Sequence, residues 1–229
     1  MSMPATLIRR LSESENPDSF ANRLRSRRFQ RFESLVATLP RPLKILDVGG
    51  TNAFWEFRGW AERKGVEILT LNLQPESQQY ENIRPLVGDA TNLAQFEDGS
   101  FDVVFSNSVI EHLFTFENQQ RMAAEVQRVG KAFWVQTPNY WFPMEPHFQV
   151  PAWQWMPLEL RISMIRRWRC GWRGPCGDSA SAHRLVEEVR LLKKDELRAI
   201  FPGATLLAEK FCGLVKSWTA VGGFPPGSK

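Results

Sequence analysis

The sequence predicts an α/β protein built on a doubly wound, mostly parallel sheet, and three observations carry that expectation. Short aliphatic runs alternate with segments of helical periodicity between Lys44 and Gln136. The first run closes on Gly49-Gly50, a turn that leaves bare backbone at the carboxyl end of a strand. The composition fits as well: 229 residues, 43% apolar and 24% charged, with 15 Gly and 15 Pro, suit one compact domain or one domain with an elaborated insertion. Disorder, collagen and coiled coil are excluded.

The elements follow in order. Met1–Pro17 has no periodicity and reads as an arm. Asp18 and Ser19 offer N-cap chemistry ahead of a helix over Phe20–Leu39, stopped by Pro40 and Pro42. Arm and helix together (1–42) are basic, with eight arginines against four acids, and the residues beyond (43–229) form the sheet domain. Strands are expected at Lys44–Val48, Val66–Leu71, Ile83–Gly88, Phe101–Ser106 and Lys131–Gln136, with helices at Phe54–Lys64 and Glu117–Val129. After Thr137, Pro138, Pro143, Pro146, Pro151 and Pro157 and five of the nine tryptophans crowd one stretch, an insertion over 138–183. Regularity returns with a helix at Lys194–Phe201 and strands at Ala204–Lys210 and Leu214–Val221.

Several classes fall away. The longest apolar stretches, such as Phe101–Ile110, stop well short of the roughly 20 residues of a membrane-spanning helix. Met1–Arg10 lacks the features of a secretory signal, and Cys170, Cys176 and Cys212 cannot pair without a remainder, so a cytoplasmic protein is expected. Neither Cys170 nor Cys176 has a second Cys/His pair at zinc spacing, and no metal site is expected. The net charge of +4 is mild.

The chemistry gathers at the strand ends. Ile45-Leu46-Asp47-Val48-Gly49-Gly50 presents an acid and then a loop against which a ligand can press. It lacks the G-x-G-x-x-G of a pyrophosphate cradle, and the charge of Asp47 suits a cationic cofactor better than an anionic one. Gly88-Asp89-Ala90 follows the third strand. Asn107 and then Val109-Ile110-Glu111-His112-Leu113 follow the fourth.

In that order and spacing these pieces resemble the class I S-adenosylmethionine-dependent methyltransferases, closest to those grouped as methyltransferase type 11, over most of Leu43–Val221. The resemblance implies a Rossmann-like, seven-stranded sheet with an antiparallel finish and S-adenosylmethionine as cofactor. It implies that Asp47, Gly49 and Gly50 serve the methionine part, Asn72 the ribose, and Asp89 and Ala90 the adenine, with Leu73 and Asn107 also among the cofactor-binding residues. Thr51 and Asn72 depart from the family, which has a glycine and an acid there. The bland readings stand beside these: Asp47 as a turn cap, Asp89-Ala90 as an ordinary turn, Asn72 as a turn residue.

Methyl transfer needs positioning and sometimes removal of a proton. His112 and His147 are the candidate bases, with Glu111 beside them; the alternative is that they only pin their loops. The tryptophans and arginines of the insertion suggest a lid over the cofactor mouth. A hydroxyl of a sugar, lipid or specialised metabolite is the favoured acceptor. RNA, suggested by the arginines of the first helix, and a binding protein without turnover are the alternatives.

Overall fold

The computed structural model describes residues 20–225. Of these, residues 20–40 with 224–225 form one compact unit and residues 41–223 another. The expected arm and the Asp18-Ser19 cap lie outside the described residues. The first unit holds helix α1 (Phe20–Val36), which ends three residues before the predicted Leu39. Its last turn tightens: the N–H groups of Thr38 and Leu39 bond to the carbonyls of Leu35 and Val36, three residues back, and the Thr38 hydroxyl also donates to Leu35.

The second unit is a seven-stranded sheet. Its strands are β1 (Leu43–Val48), β2 (Val66–Asn72), β3 (Ile83–Val87), β4 (Phe101–Asn107), β5 (Gly130–Pro138), β6 (Thr205–Phe211) and β7 (Leu214–Gly222), in spatial order β3-β2-β1-β4-β5-β7-β6. The first five run parallel, and β7 is antiparallel to both β5 and β6. All seven strands expected from the sequence are present. Strands β1, β4 and β5 are buried on both faces, which explains why they read as continuous apolar runs rather than alternating ones. The parallel register, with Val48 beside Leu71 and Ser106, and Asn107 beside Gln136, brings the carboxyl ends of β1, β2, β4 and β5 to one edge.

Helix α2 (Asn52–Phe57) is shorter than the predicted Phe54–Lys64 and starts earlier. Thr51 is its N-cap, the hydroxyl accepting from Phe54 N–H, and Gly59 at φ +70° ends it. Helix α3 (Phe116–Val129) is capped by Thr115 in the same way and buries Met122, Ala123, Val126 and Val129 at helical spacing against the sheet core.

The links from β2 to β3 and from β3 to β4 contain no helix. In the second, side chains of α3 do the anchoring: Arg128 donates to the carbonyls of Leu93 and Phe96, and Glu125 accepts from Leu93 N–H. Strand β3 is an edge of the sheet, with Leu86 and Val87 exposed. Ile68 N–H donates to Asn82 O and Gly88 N–H to Asn72 O, so the even-numbered residues of β3 face β2.

The segment after β5 is helical as well as proline-rich, carrying α4 (Leu158–Arg167) and α5 (Ser179–Glu187), which runs across residue 183. It has its own core, in which the Phe148 and Trp153 rings stack 4.2 Å apart against Ile162, Ile165, Ala182 and Val186. Helix α6 (Lys194–Ile200) then leads into the last two strands.

Candidate active site

The turn after β1 needs glycine twice. Gly49 sits at φ +78°, and a Cβ there would meet Val109 Cγ2 at 2.3 Å; at Gly50 it would lie 1.7 Å from Asp47 Oδ2. The reason for the second clash is the position of Asp47. Its side chain turns beneath the loop, 1% exposed, and accepts from Trp55 Nε1–H at 2.7 Å. Burial pushes its carboxyl up from 3.8 to about 7, with the Trp55 hydrogen bond pulling the other way.

Above the loop lies a cleft of about 430 Å³. Gly49, Asn72, Leu73, Asp89 and Ala90 line it on the side of β1, β2 and β3, and Val109 and His112 line it opposite. Asp47, Gly50 and Asn107 support the edge without lining the cleft. Asn72 does two things at once, since its Nδ2 also donates to Gly50 O at 2.5 Å and ties the end of β2 to the glycine loop. A carboxylate could not make that bond. Asp89 likewise lines the cleft while its Oδ1 accepts from the N–H and hydroxyl of Thr91, an Asx turn that fixes its direction. Glu76 was not legible in the sequence; it lines the cleft and accepts from Asn52 N–H at the start of α2. None of the five clustered tryptophans lines this cleft, contrary to the expected aromatic wall, and Trp141, Trp155, Trp168 and Trp172 are exposed.

The second part of the site grows from β4 and β5. Because these strands are parallel neighbours, the segments leaving them meet. A 3₁₀ turn, Ile110–His112, carries Glu111 and His112, and the loop beyond β5 carries Glu145 and His147. The two imidazoles cross edge to face with centroids 4.7 Å apart. Glu111 is fully buried: Oε2 accepts from the Thr137 hydroxyl at 3.0 Å, while Oε1 has no hydrogen-bond partner and lies 4.0 Å from His147 Nε2. Glu145, also buried, was missed in the sequence. Its Oε1 is 2.6 Å from His147 Nδ1, and its Oε2 accepts from the N–H groups of His147 and Phe148. That pairing puts hydrogen on Nδ1 and leaves Nε2 facing Glu111.

Burial pushes the Glu111 carboxyl up to about 7 against the pull of His147. Burial and the neighbouring His147 bring His112 down to about 4. For His147, burial pulls down, but the hydrogen bond and charge of Glu145 together with the charge of Glu111 outweigh it and hold the imidazole above its ordinary value. His183 stands apart, paired on the surface with Glu187 at 2.9 Å. Asn139, in the Thr137-Pro138-Asn139-Tyr140 run, is a strut: its Nδ2 donates to Val215 O on β7.

A second cavity, about 490 Å³, meets this cluster at Glu145. Tyr140, Glu145, Phe148, Trp153 and Arg161 line it. The two cavities adjoin along the chain, Leu113 lining the first and Phe114 the second.

The sheet order, with its antiparallel β7 between β5 and β6, is that of a class I methyltransferase. Comparison with known proteins agrees. Residues 46–132 match the model of a family described as a methyltransferase domain. In fold, the chain superposes on a SAM-dependent methyltransferase from Aquifex aeolicus with a TM-score of 0.50, at 13% identity, covering 96% of this chain and 98% of that one. An O-methyltransferase family protein from Burkholderia thailandensis gives a TM-score of 0.51 at 12% identity, covering 92% and 60%. By sequence, the chain is 28% identical over 144 residues to two uncharacterised proteins of Mycobacterium tuberculosis, covering 57% of this chain and 48% of theirs. The chain thus spans about half the length of the curated relatives it matches.

Residues 46–132 are therefore similar to a methyltransferase domain, and S-adenosylmethionine is the cofactor that this likeness and the fold imply. The cleft suits it. The glycine turn brings backbone to the cleft wall, the Asn72 amide and the Asp89 carboxylate are polar groups at the ends of β2 and β3, and Leu73, Val109 and Leu113 supply apolar surface. Among the described residues no helix is long and apolar enough to cross a membrane.

Proposed function

We propose that this protein transfers a methyl group from S-adenosylmethionine to a hydroxyl of a small or medium-sized acceptor bound in the second cavity. The observation that carries the reading is the position of the Glu111, His112 and His147 cluster between two cavities: His112 lines the cofactor cleft, and Glu145, hydrogen-bonded to His147, lines the other. In the cofactor cleft, Asn72 and Leu73 serve the ribose and Asp89 and Ala90 the adenine, while Gly49 serves the methionine part. Asp47 and Gly50 act from beneath by fixing the loop. The cofactor supplies a methyl group already activated by a positive sulfur.

What remains for the protein is to orient the acceptor, exclude water and dispose of the hydroxyl proton. In the balanced reaction the acceptor O–H bond breaks, its proton passing to water, and an O–CH₃ bond forms. The electron pair of the old methyl–sulfur bond stays on sulfur. The second cavity suits a polar acceptor. Arg161 Nε and Gln154 Oε1, both from lining residues, are buried without hydrogen-bond partners, and a hydroxylated or anionic ligand would satisfy them. Sugar and lipid headgroup hydroxyls have that chemistry.

The test is an acceptor screen with methyl-labelled cofactor, preceded by calorimetry with S-adenosylhomocysteine. Label should pass to a hydroxylated acceptor, and Arg161→Ala should raise the acceptor KM without changing cofactor affinity. Cofactor that binds but is never consumed by any acceptor would reduce the chain to a binding protein.

A further inference from the structure

We propose that Glu111, His112 and His147 hold a divalent transition-metal ion at the junction of the two cavities. The three side chains each offer one ligand atom, and those atoms lie within 4.8 Å of one another. Donors about 2.1 Å from one ion sit about 3–3.5 Å apart. Ligation therefore asks the set to close by about an ångström or slightly more.

Three further features point the same way. The first is Glu111 Oε1. It belongs to a fully buried side chain, has no hydrogen-bond partner, and lies 4.0 Å from His147 Nε2. An unpartnered carboxylate oxygen in such a place is costly unless something positive meets it. Its twin, Oε2, is already held by the Thr137 hydroxyl, so the orientation of the carboxylate is set in advance.

The second is the carboxylate behind each imidazole. Glu145 lies 2.6 Å from His147 Nδ1, and Glu188 lies 3.7 Å from His112 Nδ1. Glu188 is itself gripped by Arg173. The Glu145 hydrogen bond fixes the His147 ring and makes its far nitrogen a better ligand, the outer-shell arrangement that metal-binding histidines commonly have, while Glu188 adds only its charge near His112.

The third is the place. His112 lines the cofactor cleft, and Glu145, which holds His147, lines the second cavity, so an ion here would be reached from the cleft through His112. Two imidazoles and one carboxylate favour Zn²⁺, Mn²⁺ or Fe²⁺ over Mg²⁺ and Ca²⁺, which prefer all-oxygen sites. The inference builds on the proposed methyl transfer: such an ion would polarise the acceptor hydroxyl and ease the departure of its proton to water.

The experiment uses the full chain stripped with a chelator, then titrated with Zn²⁺ by calorimetry and with Mn²⁺ by electron paramagnetic resonance, Mg²⁺ serving as the control. The wild type should take up one ion per chain. Glu111→Gln and His147→Ala should weaken that uptake at least a hundredfold, and Glu145→Gln by about 10- to 100-fold. His183→Ala, at a surface histidine, should leave it unchanged. Circular dichroism and S-adenosylhomocysteine binding show whether each variant is folded.

No saturable uptake by the wild type, or equal uptake by Glu111→Gln and His147→Ala, overturns the metal site. The methyl-transfer reading fails separately: if S-adenosylhomocysteine does not bind while the ion does, the cofactor assignment is wrong and the metal site stands.

Discussion

Asp47→Asn should make the ligand-free protein more stable with rising pH relative to the wild type. In the folded chain the Asp47 carboxyl titrates at about 7, against 3.8 for an ordinary one, because it is buried beneath the glycine loop. The sign follows from proton binding. Below pH 3.8 both folded and unfolded chains hold the proton; between 3.8 and about 7 the unfolded chain releases it while the folded chain keeps it. Stability at this residue therefore falls as pH rises through that window and levels off above it. At about 1.4 kcal/mol per pH unit the full loss is roughly 4 kcal/mol, of which about 3 kcal/mol falls between pH 5 and pH 8.

Asparagine retains an Oδ1 that can accept from Trp55 but carries no charge to desolvate. Urea unfolding of both proteins at four pH values from 5 to 8 should show the midpoint of Asp47→Asn gaining about 1 M or more on the wild type across the range. Taking the difference removes the titrations of Glu111, His112 and His147, which both proteins share. Two curves that stay parallel from pH 5 to 8 would show that the Asp47 carboxyl is ionised throughout, and the account of the loop would be wrong.

Trp55→Phe removes the Nε1–H donor at 2.7 Å and should move the Asp47 carboxyl higher still, visible in its carbon-13 titration, at a cost of about 1–3 kcal/mol at pH 8. Gly50→Ala places a Cβ where Asp47 Oδ2 now lies, and should cost about 1–3 kcal/mol in urea and weaken S-adenosylhomocysteine binding. Asn72→Asp restores the residue type of the related enzymes, yet it loses the donor to Gly50 O; a drop of about 2–4 °C in Tm is expected for each kcal/mol lost, with no gain in cofactor affinity. Asp89→Ala should weaken S-adenosylhomocysteine binding by about 1–3 kcal/mol in calorimetry, and unchanged affinity would remove Asp89 from the site.

The strands were legible because burial on both faces writes itself into the sequence as aliphatic runs, and β1, β4 and β5 are buried that way. The short α2 was not: its limits depend on the Thr51 hydroxyl and on Gly59 adopting a positive φ, single-residue effects that periodicity over Phe54–Lys64 does not register. Thr51 illustrates the point. As a motif residue it is a departure from glycine; as an N-cap it does a job glycine does less well.

In the site, Asn72, Asp89 and His112 could be placed because they lie at the end of a strand or within a few residues beyond it. The meeting of Glu111 with His147, 36 residues later, depends on β4 and β5 being neighbours and on the Glu145 turn that aims the second imidazole. The role of Trp55 was hidden because nothing local distinguishes a tryptophan that holds a carboxylate from one that fills a core. The helices of the insertion were obscured by the prolines around them, although Pro157 stands immediately before the first turn of α4, where a missing N–H costs nothing.

The outer edge of the sheet at β3 has a consequence for how this protein behaves when crowded. An uncovered border strand invites a stranger's backbone to pair with it. Here the outward-facing positions are the odd-numbered ones: Ile83 N–H is already spent on Tyr80 O, and Pro85 has no N–H to give. With two successive rungs missing and the guanidinium of Arg84 close by, an incoming strand finds a broken ladder at this edge.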